Sequence, residues 1–137
     1  MPITGRCLCG AVRVEIDAQP LGVRACWCTV CQQLAAGSAT VNLVFPAEAV
    51  AVDGEVRWYE SIADSGNTMR RGFCPACGTP LFSRSEQRPT VIIVRAGVLD
   101  DPEIAAPEAT IWTGSAPAWA LIDPELPGHA GQLPPLA

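Results

Sequence analysis

The sequence predicts a mainly β domain with one short helix, and three observations carry this. Val12, Val14 and Ile16 alternate with Arg13, Glu15 and Asp17, the period of a half-buried strand. Val91-Ile92-Ile93-Val94 is an unbroken apolar run of the kind a central strand carries. Thirteen Pro and twelve Gly cut the chain into short elements and disfavour long helices.

The elements follow in order. Residues 11–17 form the first expected strand, and Pro20 ends it. Val23 to Cys26 forms a second. Thr29 and Gln32 make a capping-box pattern, which starts a helix from Val30 to about Ala36 with Gly37 as its stop. Residues 39–45 form a strand ended by Pro46, and Val56 to Ser61 another, entered from an Asp53-Gly54 turn. Met69 to Phe73, Leu81 to Ser83 and Thr90 to Ala96 complete the main set. Ala109 to Thr113 and Trp119 to Ile122 are candidates for short final strands. The tail from about residue 124, with four Pro and two Gly, is expected to be irregular.

The length, 137 residues, suits one domain over 1–137. A hydrophobic share of 49% with 17% charged excludes a disordered chain. All nine basic residues are Arg, so no Lys Schiff-base chemistry is available. A net charge of −5 argues against a nucleic-acid partner. No apolar run approaches the ~20 residues of a membrane helix, and the N-terminus lacks a signal-peptide layout. A cytoplasmic location follows as the expectation, and with it a reading of clustered Cys as metal-binding or catalytic rather than disulfide-bonded.

The seven Cys fall into three groups: Cys7-Leu8-Cys9, Cys26-Trp27-Cys28-Thr29-Val30-Cys31 and Cys74-Pro75-Ala76-Cys77. The last resembles a zinc knuckle, in which two thiolates chelate from one tight turn. A knuckle supplies two ligands, whereas structural zinc takes four at about 2.3 Å. Seven divides as four plus three. Cys26, Cys28 and Cys31 lie within six residues around a helix start, where N–H groups favour thiolates. That leaves Cys7 and Cys9 to join Cys74 and Cys77 in a closed structural zinc site. Cys26, Cys28 and Cys31 would then hold a second zinc with an open position, the mark of a catalytic site. Other readings stay open: buried apolar Cys, a metal-free redox triad, or Cys26 and Cys28 paired with the knuckle. An iron–sulfur cluster fits poorly, because the spacing matches no ferredoxin run.

At this point the chain resembles the glutathione-dependent formaldehyde-activating enzyme family. The matching pieces are Gly5-Arg6-Cys7-Leu8-Cys9-Gly10-Ala11-Val12, Cys26 to Cys31 followed by Gly37, and Arg71-Gly72-Phe73-Cys74-Pro75-Ala76-Cys77-Gly78. Gly97-Val98-Leu99-Asp100-Asp101-Pro102, Ile111-Trp112 and Pro117-Ala118-Trp119 continue the match in the family's order. The resemblance implies an Mss4-like complex of β-sheets around zinc, with the same four-plus-three split and two Zn2+ per chain. It implies a carbon–sulfur lyase-type activity on a small thiol or thiol adduct, of the S-hydroxymethylglutathione type. Three positions depart from the family pattern. Trp27 and Thr110 stand where relatives often carry His, and Ala116 stands where a basic residue is common. These changes favour a substrate more apolar than glutathione. A non-catalytic zinc-binding interaction module and metal or redox buffering by the three-Cys site are the alternatives.

Four further sets of residues carry expectations. Trp58, Trp112, Trp119, Phe45, Phe73 and Phe82 line either a cleft or the core, and strand spacing favours the core. Arg70-Arg71 is a candidate for binding a substrate carboxylate. Asp100-Asp101-Pro102 resembles a paired-carboxylate site, against which a turn after the Thr90–Ala96 strand is the favoured reading. His129, the only His, is either a solvated surface group or the second zinc's fourth ligand. A homo-oligomer is compatible with all of these readings.

Overall fold

The protein, described over residues 2–136 from a computed structural model, is mostly β with a single α-helix among those residues. Met1 and Ala137, the latter the end of the tail expected to be irregular, lie outside them. The strands are β1 (Ile3–Arg6), β2 (Arg13–Ile16), β3 (Gly22–Cys26), β4 (Thr40–Pro46) and β5 (Val50–Asp53). They continue with β6 (Arg57–Ile62), β7 (Thr68–Phe73), β8 (Pro80–Ser85), β9 (Val91–Arg95) and β10 (Ala109–Ile111). The helix α1 spans Thr29–Leu34.

Two sheets form. One is antiparallel, in the order β1-β2-β5, and the other has seven strands in the order β10-β3-β4-β9-β8-β7-β6. In the larger sheet only the β10–β3 pair is parallel. The period-two reading of β2 holds, since Val14 and Ile16 are buried while Arg13 and Glu15 are exposed. Their apolar face joins Val23, Leu43, Phe45, Phe82, Ile92 and Val94 in the main core. Cross-strand partners point to one side of a sheet. The pairs Val23↔Leu43, Leu43↔Val94 and Phe82↔Val94 therefore place this core on one face of the larger sheet. Cys26, Thr40, Asn42 and Arg95 belong to the opposite face.

Several sequence expectations change. The helix begins one residue earlier than expected, and Thr29 is inside it rather than its cap. Cys28 caps it instead: its Sγ accepts from the Cys31 N–H at 3.3 Å. Gln32 is drawn away to the Trp27 and Ser115 carbonyls, so the capping box does not form. At the other end Ala36 takes the left-handed conformation (φ 55°), and the Gly37 N–H bonds the Gln32 carbonyl at 2.7 Å in a Schellman closure. Trp119 to Ile122 is not a strand. Pro117 starts a turn closed by the Ala120 N–H, and Trp119 and Leu121 face solvent. The tail lacks regular structure but is tied down. His129 N–H and Thr110 N–H bond across to Thr110 and Pro127 carbonyls, in a parallel bridge of Thr110 with Gly128. No helix among the described residues is long and apolar enough to cross a membrane.

Candidate metal centres

Two hairpin-like turns approach each other at one end of the fold. The first follows β1, and the second joins β7 to β8. Each repeats the same local design. The Cys7 N–H bonds the Val12 carbonyl at 3.0 Å and the Gly10 N–H bonds the Cys7 carbonyl at 3.1 Å. Likewise the Cys74 N–H bonds the Thr79 carbonyl at 3.1 Å and the Gly78 N–H bonds the Cys74 carbonyl at 2.8 Å. Gly10 and Gly78 both adopt positive φ, 80° and 77°, which a Cβ would resist. The glycine after each cysteine pair therefore closes the turn that aims both sulfurs inward.

As a result the sulfurs of Cys7, Cys9, Cys74 and Cys77 lie within 4.8 Å of one another. Cys7 Sγ is 3.6 Å from Cys9 Sγ, which is 3.8 Å from Cys74 Sγ. Four sulfurs about 2.3 Å from a tetrahedral ion would be ~3.8 Å apart, so donor set and spacing fit a metal. Cys7 and Cys74 are buried within the main core, and Cys77 packs against it. The Val12 N–H donates to Cys7 Sγ at 3.3 Å. Thr79 bridges the two turns, accepting from the Leu8 N–H and lying 3.1 Å from Cys77 Sγ. The Thr79 hydroxyl and N–H hold the Cys77 thiol down to about 5. An Ala11 N–H favours the Cys9 thiolate too, but Cys7, burial and the remaining sulfurs together push Cys9 up to about 11. The thiols thus compete for the same few protons, and a cation among them would relieve that competition.

The second group is local. Cys26 ends β3, Cys28 caps α1 and Cys31 lies in its first turn, with all three sulfurs within 4.8 Å of one another. Hydrogen bonds from the Cys26 and Cys31 thiols bring Cys28 down to about 2, helped by the Cys31 and Val30 N–H groups. The same crowding by Cys28 and Cys31, with burial, raises Cys26. Cys26 and Cys31 are buried with Ile111, and Trp112 and Leu133 pack over them. The group has three donors where the first has four, and His129 is not among them.

The other sequence candidates fall elsewhere. Trp58 stacks on Phe82 at 6.0 Å, and Phe45 is fully buried, so these aromatics are core. Arg70 and Arg71 point to opposite faces of β7 and do not act as a pair. Arg70 lies 5.5 Å over the Trp58 ring, while Arg71 donates to Ser61 at 2.9 Å. Asp100 accepts from the Thr4 hydroxyl, and Asp101 caps the 3₁₀ turn at Pro102–Ala105. Trp27 is buried, with its ring edge-on to Trp119 at 6.5 Å. No cysteine lines the cavities of about 330 Å3 (beside Trp58, Phe82 and Ile92) and about 370 Å3 (beside Arg6, Glu15 and Asp53).

Sequence reasoning missed Thr79, Thr40, Asn42 and Arg95. Thr79 follows Cys77-Gly78 directly and could have been read as part of the knuckle. The only trace of Arg95 is a lone charge ending the apolar run Val91–Val94.

Fold and sites together define a β-rich protein with two separate cysteine groups, each with the donors to hold a metal ion. The chain belongs to the glutathione-dependent formaldehyde-activating enzyme family, whose profile matches residues 2–115. Its fold is similar to that of a crystallised Rhodobacter sphaeroides protein, at 21% identity and a TM-score of 0.57, over 71% of this chain and 87% of that one. No curated protein matches the sequence.

Proposed function

We propose that the protein is a cytoplasmic, single-domain zinc enzyme of carbon–sulfur lyase type, acting on the adduct of a small thiol with an aldehyde. Cys7, Cys9, Cys74 and Cys77 hold a structural Zn2+, and Cys26, Cys28 and Cys31 hold a second that leaves one position for substrate. The observation that carries this reading is the inequality of the two groups. Four donors, with Cys7 and Cys74 buried in the core, complete a tetrahedral set, whereas three donors at a helix start leave one position open. Bound zinc supplies a Lewis acid that favours the thiolate of a substrate.

The reaction balances without an oxidant. The thiol sulfur bonds the aldehyde carbon, the carbonyl π bond opens, and the thiol proton ends on the new hydroxyl; the lyase direction reverses each change. The chain's part is to orient the thiol beside Cys28 and to exclude water through Trp112 and Leu133, which pack against the group. The test is the rate at which formaldehyde equilibrates with a thiol, followed by the methylene NMR signal of the adduct. Glutathione is compared with a small apolar thiol. Wild type should accelerate exchange, while Cys28→Ser with its first metal intact should not. Equal rates with and without wild-type protein refute the reading and favour the interaction-module alternative.

A further inference from the structure

A buried polar network runs from β9 to the three-cysteine group, and neither the motif nor the proposed chemistry accounts for it. Arg95, Asn42 and Thr40 are only 8%, 7% and 7% exposed. Asn42 pairs with Arg95 across β4–β9, and Thr40 pairs with Cys26 across β3–β4, so all four lie on one face. Arg95 Nη1 donates to Asn42 Oδ1 at 2.5 Å, and Asn42 Nδ2 donates to Thr40 Oγ1 at 2.9 Å. Thr40 is the cross-strand partner of Cys26, so the chain of hydrogen bonds ends beside the three-cysteine group.

Charge points the same way. Burial penalises the Arg95 guanidinium, and the groups that favour its charge are the sulfurs of Cys31 and Cys26. Arg71 adds repulsion, and no carboxylate figures among the charges that bear on it. Its Nε is buried without a hydrogen-bond partner. A buried, unpaired guanidinium is costly unless an anion compensates it. Three thiolates around a divalent ion carry one net negative charge, and Arg95 supplies one positive charge on the sheet face that carries Cys26. The four-cysteine group has a hydroxyl in Thr79 but no such cation among its described hydrogen-bond partners.

We propose that Arg95, Asn42 and Thr40 form the outer shell of the three-cysteine centre, packing behind Cys26 and offsetting the centre's negative charge. This rests on the reading that Cys26, Cys28 and Cys31 hold a metal. The three are positioning residues, since they act through the cysteine ligands. With them the loaded centre is neutral, so an incoming thiolate brings it to a single negative charge instead of two.

The experiment is competition between a colorimetric zinc chelator and the fully loaded protein, with the two metals counted separately. The second readout is the sulfur-to-metal charge-transfer band after Co2+ substitution. Arg95→Gln and Thr40→Val should each release one metal at roughly 10- to 100-fold lower chelator concentration, the usual scale for an outer-shell partner. The other metal should be held as in wild type, and the charge-transfer band of the labile site should shift. Arg95→Lys, which keeps the charge, should recover most of the retention. Thr40→Val keeps the side chain's shape, so it provides the test if Arg95→Gln does not fold. Unchanged release and an unchanged band in Thr40→Val and in any folded Arg95→Gln overturn the proposal. So does equal weakening of both metals, which would assign the network to the fold. Wild type that binds one metal only refutes the second centre itself, and this proposal with it.

Discussion

Replacing one ligand in each centre separates their roles. Cys74→Ser removes a sulfur that is fully buried in the main core, at the point where the β1–β2 turn meets the β7–β8 turn. A structural zinc contributes on the order of 10 kcal/mol or more in small peptides. The whole margin of a domain is ~5–15 kcal/mol. Losing that metal therefore removes most or all of the stability. Cys28→Ser acts differently. Its sulfur caps α1 through the Cys31 N–H, and serine is itself a favoured cap, so the helix loses under about 1 kcal/mol. The metal lost from that site adds a linkage term of about 4 kcal/mol at a thousandfold excess over Kd. For 137 residues the unfolding entropy is roughly 0.3 kcal/mol per degree, so Cys28→Ser should melt about 15 °C below wild type with a cooperative transition. Cys74→Ser should show no cooperative transition at all. The assay is thermal unfolding by circular dichroism at equal added zinc, with metal content measured on the same samples. Cooperative melting of Cys74→Ser near the wild-type temperature, or the same Tm for both variants, would refute the division of labour.

Three further outcomes are expected. Trp27→His places a group titrating near neutral pH between Cys26 and Cys28, and should raise thiol-dependent formaldehyde turnover by ~10²–10⁴-fold at unchanged zinc content. Robust wild-type turnover with glutathione would instead show the imidazole to be dispensable. In metal-free, reduced protein Cys28 is a thiolate far below the usual thiol range, because a depressed pKa keeps the charged form as pH falls. Iodoacetamide at pH 5.5 should therefore label Cys28 before Cys26, as peptide mass mapping would show, and uniform labelling would contradict it. Gly78→Ala meets no atom within 4 Å but forces a side chain to φ +77°, so denaturant unfolding should show a loss of about 1–2 kcal/mol. No loss would mean that the knuckle relaxes freely.

The seven cysteines made the candidate sites legible, because short-range chelation depends on spacing along the chain. The one- and two-residue separations and the glycines at 10 and 78 hold that information locally. Alternation in β2 and the apolar run of β9 were legible for a similar reason, since burial imprints a period on the residues that bear it. β1 and β5 left no such imprint. Ile3–Arg6 contains a glycine, Val50–Asp53 is largely exposed, and each is a strand because β2 pairs with it. The helix cap followed competition: a thiol held at the start of α1 by its neighbours displaced the Thr29–Gln32 box. The failed strand at Trp119 shows the converse, because apolar residues outside any sheet have no ladder to join. The four-plus-three count paired Cys7 and Cys9 with a knuckle some 65 residues away, and tertiary structure brings their sulfurs together. Tertiary structure also decided that a lone arginine on β9 would be buried on the sheet face that carries Cys26. Sequence records which donors are present, while strand pairing decides which face they share and which charges they meet.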